Sequence, residues 1–469
     1  GASRAPVGLA ALRPESSPTP KLSCAVGIVD SLSWLDSHLD HESSSIGIAA
    51  GAVDGLELST MQELIGLLGD PHLDVPTIHV TGTNGKGSVT ALISGLLQAH
   101  GLSVGTYTSP HLERINERLR WDGEPIDDQT LSEVLDGLRA IEPLMSVRPS
   151  WFELVTAAAL RWFAEAPVDI AVVEVGLLGR YDATNVVDSK VAVVTGIGGD
   201  HTDFAPGWEL AIAGEKAGII GPDSAAVLGR MAPELRAVFA AEGPASLAAE
   251  DVDFEVLATE AAVGGRLIDI GGIHARYDEI FLPLHGRVQA HNAAVAVAAV
   301  ESFFARALEA DLVRDGLAMV RLEGRVEVVS HQPLIILDGA HNPDALRALG
   351  RTLDDEFSTV GSRTVVFGLL AGRDPDAAAD ALRSLRPDLV LCTTADAGDR
   401  GLPAEVLEAA CERVGLSAEA VVAPAEAVAQ AVGHAHEEDM VVVTGSFRLL
   451  APARAAIAAA SPGPAHDAD

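Results

Sequence analysis

The chain has 469 residues, 48% of them hydrophobic, which is more than one ordinary domain holds, so we expect two domains. Its 32 Lys and Arg residues stand against 67 Asp and Glu residues, and the formal net charge of −35 disfavours nucleic-acid binding. The three cysteines are widely spaced, so neither a disulfide framework nor a structural zinc site is expected. This cysteine usage favours a reducing compartment, and we expect a cytoplasmic protein.

Neither a membrane span nor ordered termini are expected. The longest apolar runs, such as residues 170–173, fall far short of the roughly 18–20 residues needed to cross a bilayer, which favours a soluble protein. Residues 1–26, rich in Pro, Ser and Ala, and residues 461–469 are predicted to be flexible tails.

From residue 59 to about residue 300, apolar runs with strand character alternate with helical periodicity, as in a doubly wound α/β sheet. Polar or glycine-rich residues follow each strand, which favours parallel strands with their carboxyl ends at one edge. Residues 254–284 differ, because short strands flank a Gly-Gly turn, and we predict an antiparallel insertion there. The parallel strands are predicted at residues 77–81, 103–107, 170–175 and 191–196.

A glycine-rich segment follows the first of these strands and precedes a helix; it reads Gly82-Thr83-Asn84-Gly85-Lys86-Gly87-Ser88. Glycines let backbone N–H groups face phosphate oxygens, the helix N-terminus adds positive potential, and Lys86 adds a full charge. Ser88 is placed to ligate Mg²⁺. The spelling is not GxxxxGK[ST], because Gly87 separates lysine from serine, and a bare glycine-rich loop is often structural. With lysine and serine between strand and helix, the segment predicts nucleotide binding.

After a predicted helix at residues 292–307, a second series of strands and Ala-rich helices begins. This run of about 150 residues has the usual size of a separate domain. We therefore expect an α/β protein with a P-loop-containing, doubly wound N-terminal domain that carries a small antiparallel insertion, and a smaller Rossmann-like α/β C-terminal domain. The second series of strands is predicted at residues 334–337, 364–367, 389–392 and 440–444.

Seven motifs follow one another along the chain: 80–88 (VTGTNGKGS), 109–112 (SPHL), 174–176 (EVG), 182–185 (DATN), 200–202 (DHT), 215–219 (EKAGI) and 338–343 (DGAHNP). Together they closely resemble the folylpolyglutamate synthase/dihydrofolate synthase family, a branch of the Mur ligase superfamily. The resemblance covers residues 28 to 455. It implies an ATP-binding domain at 27–318, a glutamate-ligase domain at 319–460, and ATP-dependent amide formation between a pteroate or folate carboxyl and L-glutamate through an acyl phosphate.

Candidate metal ligands follow two predicted strands, at the edge where the Lys86 loop lies. Considered separately, each residue has another interpretation. Glu174 fits a carboxylate that faces water at the end of a strand, and His201 fits a histidine with a structural hydrogen bond. Together with Ser88 and nucleotide phosphates they form a sensible Mg²⁺ site, which is the role that the resemblance gives them.

Lys216 stands in an Ala- and Gly-rich segment of a chain with only four lysines. A surface partner for Glu215 is one interpretation. The resemblance instead implies a lysine carbamylated by CO₂, whose negative charge helps to hold a second Mg²⁺.

Other residues are candidates for contacts with the nucleotide. Asn292 fits a helix N-cap, whereas the resemblance implies a contact to adenine or ribose. Arg325 is a solvated charge by default, but by resemblance it reaches an ATP phosphate at the domain junction. Asp338 and His341 follow a C-terminal strand, where we predict nucleotide contact and acyl-phosphate or glutamate contact, respectively. The predicted ATP-binding set is Thr83, Asn84, Gly85, Lys86, Gly87, Ser88, Asn292, Arg325 and Asp338, and the catalytic set is Lys86, Lys216 and His341.

Candidates for the pterin-bearing substrate are Ser109, Pro110, His111 and Phe152. Phe152 offers an aromatic surface for stacking, although core packing explains it equally well. Ser446 ends a C-terminal strand, where it either faces the same cleft or forms a structural turn.

Several positions depart from the family pattern without removing a proposed metal or phosphate ligand: Leu178 for glycine, Gly199 for leucine, Glu323 for proline, and Gly372-Arg373-Asp374 for Asp-Lys-Asp. They leave room for an altered carboxylate substrate. Two alternatives therefore stay open, a sibling Mur-type ligase for a non-folate carboxylate and a non-catalytic nucleotide-binding protein. We expect a monomer without nucleic-acid or membrane partners.

Overall fold

The computed structural model describes residues 21–39, 48–49, 52–53, 57–199, 205–358, 361–395 and 400–460. Residues 21–26, which we predicted to belong to a tail, begin a helix instead, whereas residues 1–20 and 461–469 lie outside the described residues. Among the helices in the described ranges, none combines the length and the apolar composition of a membrane-spanning segment.

An eight-stranded sheet forms the centre of the N-terminal half, in the order β10-β9-β8-β3-β7-β4-β5-β6. The pairs β4–β5 and β5–β6 are antiparallel and the other pairs are parallel, as the sequence predicts for the main strands. A short antiparallel pair, β1–β2, precedes the sheet. These strands are β1 (Ile48–Ala49), β2 (Ala52–Val53), β3 (Thr77–Thr81), β4 (Val104–Tyr107), β5 (Leu119–Trp121), β6 (Glu124–Pro125), β7 (Ile170–Glu174), β8 (Ser189–Val194), β9 (Ala225–Leu228) and β10 (Ser246–Ala249).

Helices cover both faces of this sheet because its strands are apolar on both sides. In β7, Val172 joins a core with α3, α8 and α9, whereas the next residue, Val173, joins a core with α4 and α5 on the opposite face. The helices are α1 (Lys21–Leu35), α2 (Ser59–Leu67), α3 (Lys86–Ala99), α4 (Asp128–Ile141), α5 (Trp151–Glu165), α6 (Trp208–Ala217), α7 (Pro233–Ala241), α8 (Arg287–Phe304) and α9 (Ala310–Ala318).

The predicted antiparallel insertion is present as a three-stranded sheet. It consists of β11 (Glu255–Ala262), β12 (Gly265–Gly271) and β13 (Arg276–Leu282), paired in that order. Ile268, Ile270 and Ile280 pack into the core that contains α8. We call the eight-stranded sheet, its helices and this insertion the N-terminal lobe.

A six-stranded sheet in the order β14-β15-β19-β16-β17-β18 forms what we call the C-terminal lobe. Among the described strands of this sheet, the edge pair β14–β15 is antiparallel and the other pairs are parallel. The predicted boundary at 318/319 falls between the end of α9 and the start of β14. The strands are β14 (Glu327–His331), β15 (Leu334–Leu337), β16 (Arg363–Phe367), β17 (Leu389–Cys392), β18 (Ala418–Ala420) and β19 (Met440–Thr444).

Helices also cover both faces of the second sheet. Val442 of β19 joins the core beneath α10, α11 and α12, and the flanking Val441 and Val443 join the core beneath α13 and α14. These helices are α10 (Pro343–Glu356), α11 (Pro375–Leu382), α12 (Ala404–Arg413), α13 (Pro424–His434) and α14 (Leu450–Ala460). Short 3-10 helices occur at Pro71–Leu73, Ile115–Arg118, Glu142–Leu144, Ala183–Val186, Arg383–Leu385 and Phe447–Leu449.

Candidate active site

The glycine-rich loop of residues 82–88, which we call the phosphate loop, joins β3 directly to the N-terminus of α3, the geometry that suits phosphate. Gly82 and Gly85 have φ angles of 148° and 85°, which disfavour residues with a side chain. A Cβ atom at Gly82 would lie 1.8 Å from Thr195 Oγ1, and one at Gly85 would lie 2.7 Å from Asn292 Oδ1. The backbone conformation and the close neighbours therefore favour glycine at both positions.

Two lysines converge beneath this loop. Lys86 Nζ and Lys216 Nζ donate to the same acceptor, the carbonyl oxygen of Gly82, at 3.2 and 2.8 Å. Burial lowers the pKa of Lys86, and it lowers the pKa of Lys216 well below its usual range, with the charge of Lys86 adding to that effect. Lys216 is only 4% exposed, so it is not a surface partner for Glu215. A cavity of about 20 Å³ adjoins both lysines.

Glu174 ends β7 beside the loop, buried rather than facing water. It accepts a hydrogen bond from Ser109 N at 3.1 Å, and its carboxylate would lie 3.4 Å from a Cβ atom at Gly87. Burial raises the pKa of Glu174 to about 7, against the opposing effect of the Lys86 charge. Ser88 Oγ is buried nearby without a hydrogen-bond partner among the described residues. A buried carboxylate and an unpaired hydroxyl at a phosphate loop fit a hard divalent cation.

His201 falls within residues 200–204, outside the described ranges, so its assignment as a metal ligand stays a prediction. Within the described ranges, no group of three His, Cys, Asp or Glu side chains is arranged to hold a metal ion. A cation beside Ser88 and Glu174 therefore requires further oxygen donors, such as nucleotide phosphates.

Asn292 lies inside α8, one turn after its start, because Gly286 is the N-cap of this helix. The N-cap interpretation of Asn292, and the predicted helix start at residue 292, are therefore wrong. Asn292 Nδ2 donates to Gln289 Oε1 at 2.9 Å, and both side chains line the cleft. Gln289 was not predicted as a site residue, although its position one turn before Asn292 is a usable signal.

The two predicted C-terminal candidates stand in the loop that follows β15. Asp338 accepts from Val326 N at 2.9 Å and Ala340 N at 2.8 Å, and burial raises its pKa. His341 Nδ1 donates to Gly339 O at 2.7 Å, and burial lowers the pKa of His341 to about 4. At neutral pH the imidazole of His341 is therefore neutral, with Nε2 as a hydrogen-bond acceptor.

Two further contacts shape the C-terminal side of the site. The Arg325 guanidinium lies 4.3 Å from the centre of the Phe447 ring, and Arg325 is half-buried rather than fully solvated. Across the lobes, Asn342 Nδ2 donates to Asn84 Oδ1 at 2.9 Å. The phosphate loop is thus in direct contact with the residue that caps α10.

A single cleft of about 2150 Å³ runs between the lobes and contains most of the predicted residues. Lys216 lines the small adjoining cavity instead, and His111 does not line the cleft. The predicted residues in the cleft are Thr83, Asn84, Gly85, Lys86, Gly87, Ser88, Ser109, Pro110, Phe152, Glu174, Asn292, Arg325, Asp338, His341 and Ser446.

The substrate candidates also have structural roles. Phe152 is 7% exposed and belongs to the core of the N-terminal lobe, yet it also lines the cleft and packs against Gly176. Ser446 lines the cleft and also caps the 3-10 helix at Phe447–Leu449, accepting from Arg448 N at 3.2 Å. His111 Nδ1 accepts from Arg118 Nε at 2.9 Å.

Arg373 lines the same cleft from the loop after β16, although it was predicted only to depart from the family pattern and not to be a site residue. Burial lowers its pKa to about 10. The available signal was its position after a C-terminal strand, which it shares with Asp338. The described part of the cleft thus combines Arg325, Arg373 and Lys86, which suits anionic ligands in an otherwise acidic protein.

Comparison with known proteins gives one consistent result. Residues 324–447 match the family model of the Mur ligase, glutamate ligase domain. The chain is 39% identical over 442 residues to the dihydrofolate synthase/folylpolyglutamate synthase of Mycobacterium tuberculosis. The alignment covers 85% of this chain and 89% of that protein. It is 34% identical over 373 residues to the Escherichia coli protein of the same name, with 79% and 84% covered.

Solved structures agree with this result. The Mycobacterium tuberculosis folylpolyglutamate synthase complexed with ADP and AMPPCP superimposes with a TM-score of 0.84 at 36% identity, covering 94% of this chain and 100% of that one. Escherichia coli FolC in complex with DHPP and ADP gives 0.79 at 30% identity, covering 94% and 99%.

Proposed function

The chain belongs to the dihydrofolate synthase/folylpolyglutamate synthase family, and we propose that its inter-lobe cleft joins L-glutamate to dihydropteroate, to a reduced folate, or to both. It is an ATP-dependent acid–amino-acid ligase. The observation that carries the ligase function is that the phosphate loop of one lobe and the His341 loop of the other line one cleft, and the similarity to dihydrofolate synthase/folylpolyglutamate synthases supports the pterin substrates.

We propose that Mg²⁺ binds beside the phosphate loop, held by Ser88 Oγ, the Glu174 carboxylate and His201. The unpaired buried hydroxyl of Ser88 and the buried Glu174 support the first two assignments. A cation there supplies positive charge against the nucleotide phosphates.

Lys216 is proposed to carry a carbamate formed from CO₂, which would hold a second Mg²⁺. Only an unprotonated amine attacks CO₂, with loss of one proton from nitrogen, and burial favours that form of Lys216. The adjoining cavity of about 20 Å³ supports the proposal, because it leaves space next to both lysines.

In the proposed reaction, the substrate carboxylate attacks the γ-phosphorus of ATP, which gives an acyl phosphate and ADP. The glutamate amine then attacks the acyl carbon and phosphate leaves. Lys86 from the N-terminal lobe and Arg325 from the C-terminal lobe oppose the phosphate charge from two sides. Enclosure between two lobes limits hydrolysis of the acyl phosphate.

The C-terminal residues receive separate tasks. His341 is neutral at pH 7, so its Nε2 accepts a hydrogen bond from the glutamate amine rather than carrying a charge to it. Arg373 provides a second guanidinium for a carboxylate or phosphate. Asn292, together with Gln289, contacts the adenine or ribose of ATP, and Asp338 also contacts the nucleotide. Ser109, Pro110, Phe152 and Ser446 line the proposed substrate-binding parts of the cleft.

We also propose that residues 27–318 form the ATP-binding domain, that residues 319–460 form the glutamate-ligase domain, and that the protein acts as a monomer. The family-model match at 324–447 supports the second domain. Both walls of the cleft come from one chain, which supports a monomer and is checked by light scattering during size-exclusion chromatography.

The test measures ADP release with MgATP and L-glutamate, with dihydropteroate in one assay and tetrahydrofolate in another, and product mass as the readout. A product heavier by one glutamate residue identifies the accepted pterin. Lys86→Ala should abolish turnover, whereas Lys190→Ala, at an exposed lysine of β8, should not. If the protein binds ADP but neither pterin stimulates ADP release from MgATP, the substrate assignment is contradicted and a non-folate carboxylate is favoured.

A further inference from the structure

Helix α10 of the C-terminal lobe is attached to the N-terminal lobe at both of its ends. At its last residue, Glu356 pairs with Arg266 of the insertion strand β12. At its N-cap, Asn342 bonds Asn84 of the phosphate loop. The helix has 14 residues and is therefore about 21 Å long, so it spans one side of the cleft.

The contact at Glu356 is buried and rich in hydrogen bonds. The side chains of Glu356 and Arg266 are each 2% exposed. Glu356 also accepts from Gly286 N at 2.8 Å and lies 2.9 Å from His285 Nδ1, while Arg266 Nε donates to Thr259 Oγ1 at 2.7 Å. Separating the lobes here would break the ion pair and the contacts of Glu356 with Gly286 N and His285 together, so this end of α10 is held by several interactions at once.

The contact at Asn342 is much weaker. It joins two neutral amides, with one hydrogen bond of 2.9 Å and one of 3.4 Å, and Asn84 is exposed to solvent. It also lies in the cleft, where a ligand can compete for the same amides. The strong contact of α10 is therefore remote from the phosphate loop, and the weak contact adjoins it.

Backbone packing next to Glu356 is equally close. A Cβ atom at Gly286 would lie 2.7 Å from Thr352 Oγ1 of α10, and His285 contacts the Phe357 ring with a centroid distance of 4.8 Å. This end of α10 therefore has little room to slide along the N-terminal lobe.

We propose that Arg266 and Glu356 are positioning residues that form the fixed pivot of the C-terminal lobe. The pivot sets where the His341 loop, next to the other end of α10, stands relative to Lys86. Because α10 is about 21 Å long, a rotation of about 5° at Glu356 moves its first turn by about 2 Å. Displacements of that size are enough to disable a reaction that depends on positioning.

The test compares Glu356→Gln and Arg266→Met with a matched control, Glu301→Gln. Glu301 is also a fully buried carboxylate that accepts from Tyr277 OH at 2.7 Å, but all its partners lie in one lobe. Spin labels at exposed helix positions, Ala237→Cys in α7 and Glu405→Cys in α12, report the distance between the lobes by pulsed electron resonance. ADP affinity and kcat are measured on the same proteins without labels.

The two pivot variants should broaden or shift the inter-lobe distance distribution and lower kcat about tenfold or more, with the Kd for ADP changed less than about twofold. Glu301→Gln should lower thermal stability without changing the distances. Should a single variant fail to fold, the double variant Arg266→Met/Glu356→Leu, which removes both charges, serves as the test. Distances in the pivot variants that match the wild type, or that change equally in Glu301→Gln, would overturn the proposal.

The kinetic readout rests on the proposed function, but the distances and ADP affinities do not. If the wild type fails to turn over with either pterin, the substrate assignment falls while the distance measurements still decide whether the pivot exists.

Discussion

Lys86 Nζ and Lys216 Nζ share one acceptor, the carbonyl oxygen of Gly82, at 3.2 and 2.8 Å. Two ammonium groups on one carbonyl repel each other, and burial adds to the cost of charging either. Lys86 lines the cleft, where the charge of Glu174 opposes the lowering of its pKa, whereas the charge of Lys86 lowers the pKa of Lys216 further. The shared carbonyl and the burial therefore lower the pKa of Lys216 more strongly than that of Lys86, in the direction that the proposed reaction with CO₂ needs.

Lys216→Ala should lower turnover at least about 100-fold, because the proposed carbamate and the metal it holds are both lost. Carbon NMR after equilibration with ¹³C-labelled bicarbonate should show a carbamate signal in the wild type that is absent from this variant. Lys190→Ala, at an exposed lysine, should keep both the signal and the activity. Turnover by Lys216→Ala equal to that of the wild type would contradict the carbamate proposal.

Glu174→Gln should separate activity from stability. Turnover should fall at least about 100-fold because a proposed metal ligand is lost. The folded-state pKa of Glu174, about 7, lies above its ordinary value of 4.5, so its ionisation penalty is absent well below pH 4.5, grows between pH 4.5 and 7, and levels off above pH 7. At pH 8 this penalty reaches about 3 kcal/mol.

Without nucleotide or metal, Glu174→Gln should therefore unfold at a higher temperature than the wild type at pH 8 and show little gain at pH 5. Calorimetric scans at the two pH values check this. Glu133→Gln, at an exposed position of α4, is the control and should change neither quantity. Equal gains at both pH values would contradict the explanation by burial of the charge.

The sequence predicted those parts of the site that are formed within short segments. The loop from Gly82 to Ser88 is contiguous, and a strand, a glycine-rich turn and a helix each leave a local signal. Apolar runs likewise predicted that one strand ends at Glu174 and another just before Asp338. Parallel pairing then predicted that these strand ends lie at the edges of their sheets.

Contacts between distant segments were not predictable in this way. Arg266 and Glu356 are 90 residues apart, and only the packing of the insertion against α10 brings them together. Burial also leaves no local signal, because the sequence does not distinguish the buried Lys216 from an exposed lysine. The helix containing Asn292 begins at Arg287, because Gly286 adopts a φ of 96°, which apolar periodicity does not report.

Leu178 stands where the family pattern has a glycine, and it keeps a left-handed backbone with φ of 58°. This conformation costs a residue with a side chain about 1–2 kcal/mol. Leu178→Gly removes that cost along with the buried side chain, whereas Leu178→Ala removes the side chain and keeps the cost. We expect the alanine variant to be less stable than the glycine variant by about 1 kcal/mol.

Urea unfolding of both Leu178 variants checks this order. Leu235, which is 8% exposed in α7, is the control position. There the helical backbone should reverse the order and make glycine the less stable by about 1 kcal/mol. Alanine more stable than glycine at both positions would show that backbone strain at Leu178 is negligible.

The buried His79 of β3 should make the free energy of unfolding depend on pH. Thr184 Oγ1 donates to Asp182 Oδ1, so it accepts from His79 Nε2 at 2.8 Å, and His79 Nδ1 is buried without a partner among the described residues. Burial lowers the pKa of His79 to about 3. Between pH 3 and the ordinary value of 6.5, the unfolded chain binds the extra proton, so stability falls as the pH falls.

At pH 5 this linkage amounts to about 2 kcal/mol for one buried histidine. His79→Gln keeps a donor for Thr184 but cannot titrate, so its loss of unfolding free energy between pH 7 and pH 5 should be smaller than that of the wild type by about this amount. Denaturant titrations at the two pH values measure the difference. His331→Gln, at an exposed histidine of β14, should behave like the wild type. An identical pH dependence in His79→Gln would mean that the proton taken up in acid goes to other groups.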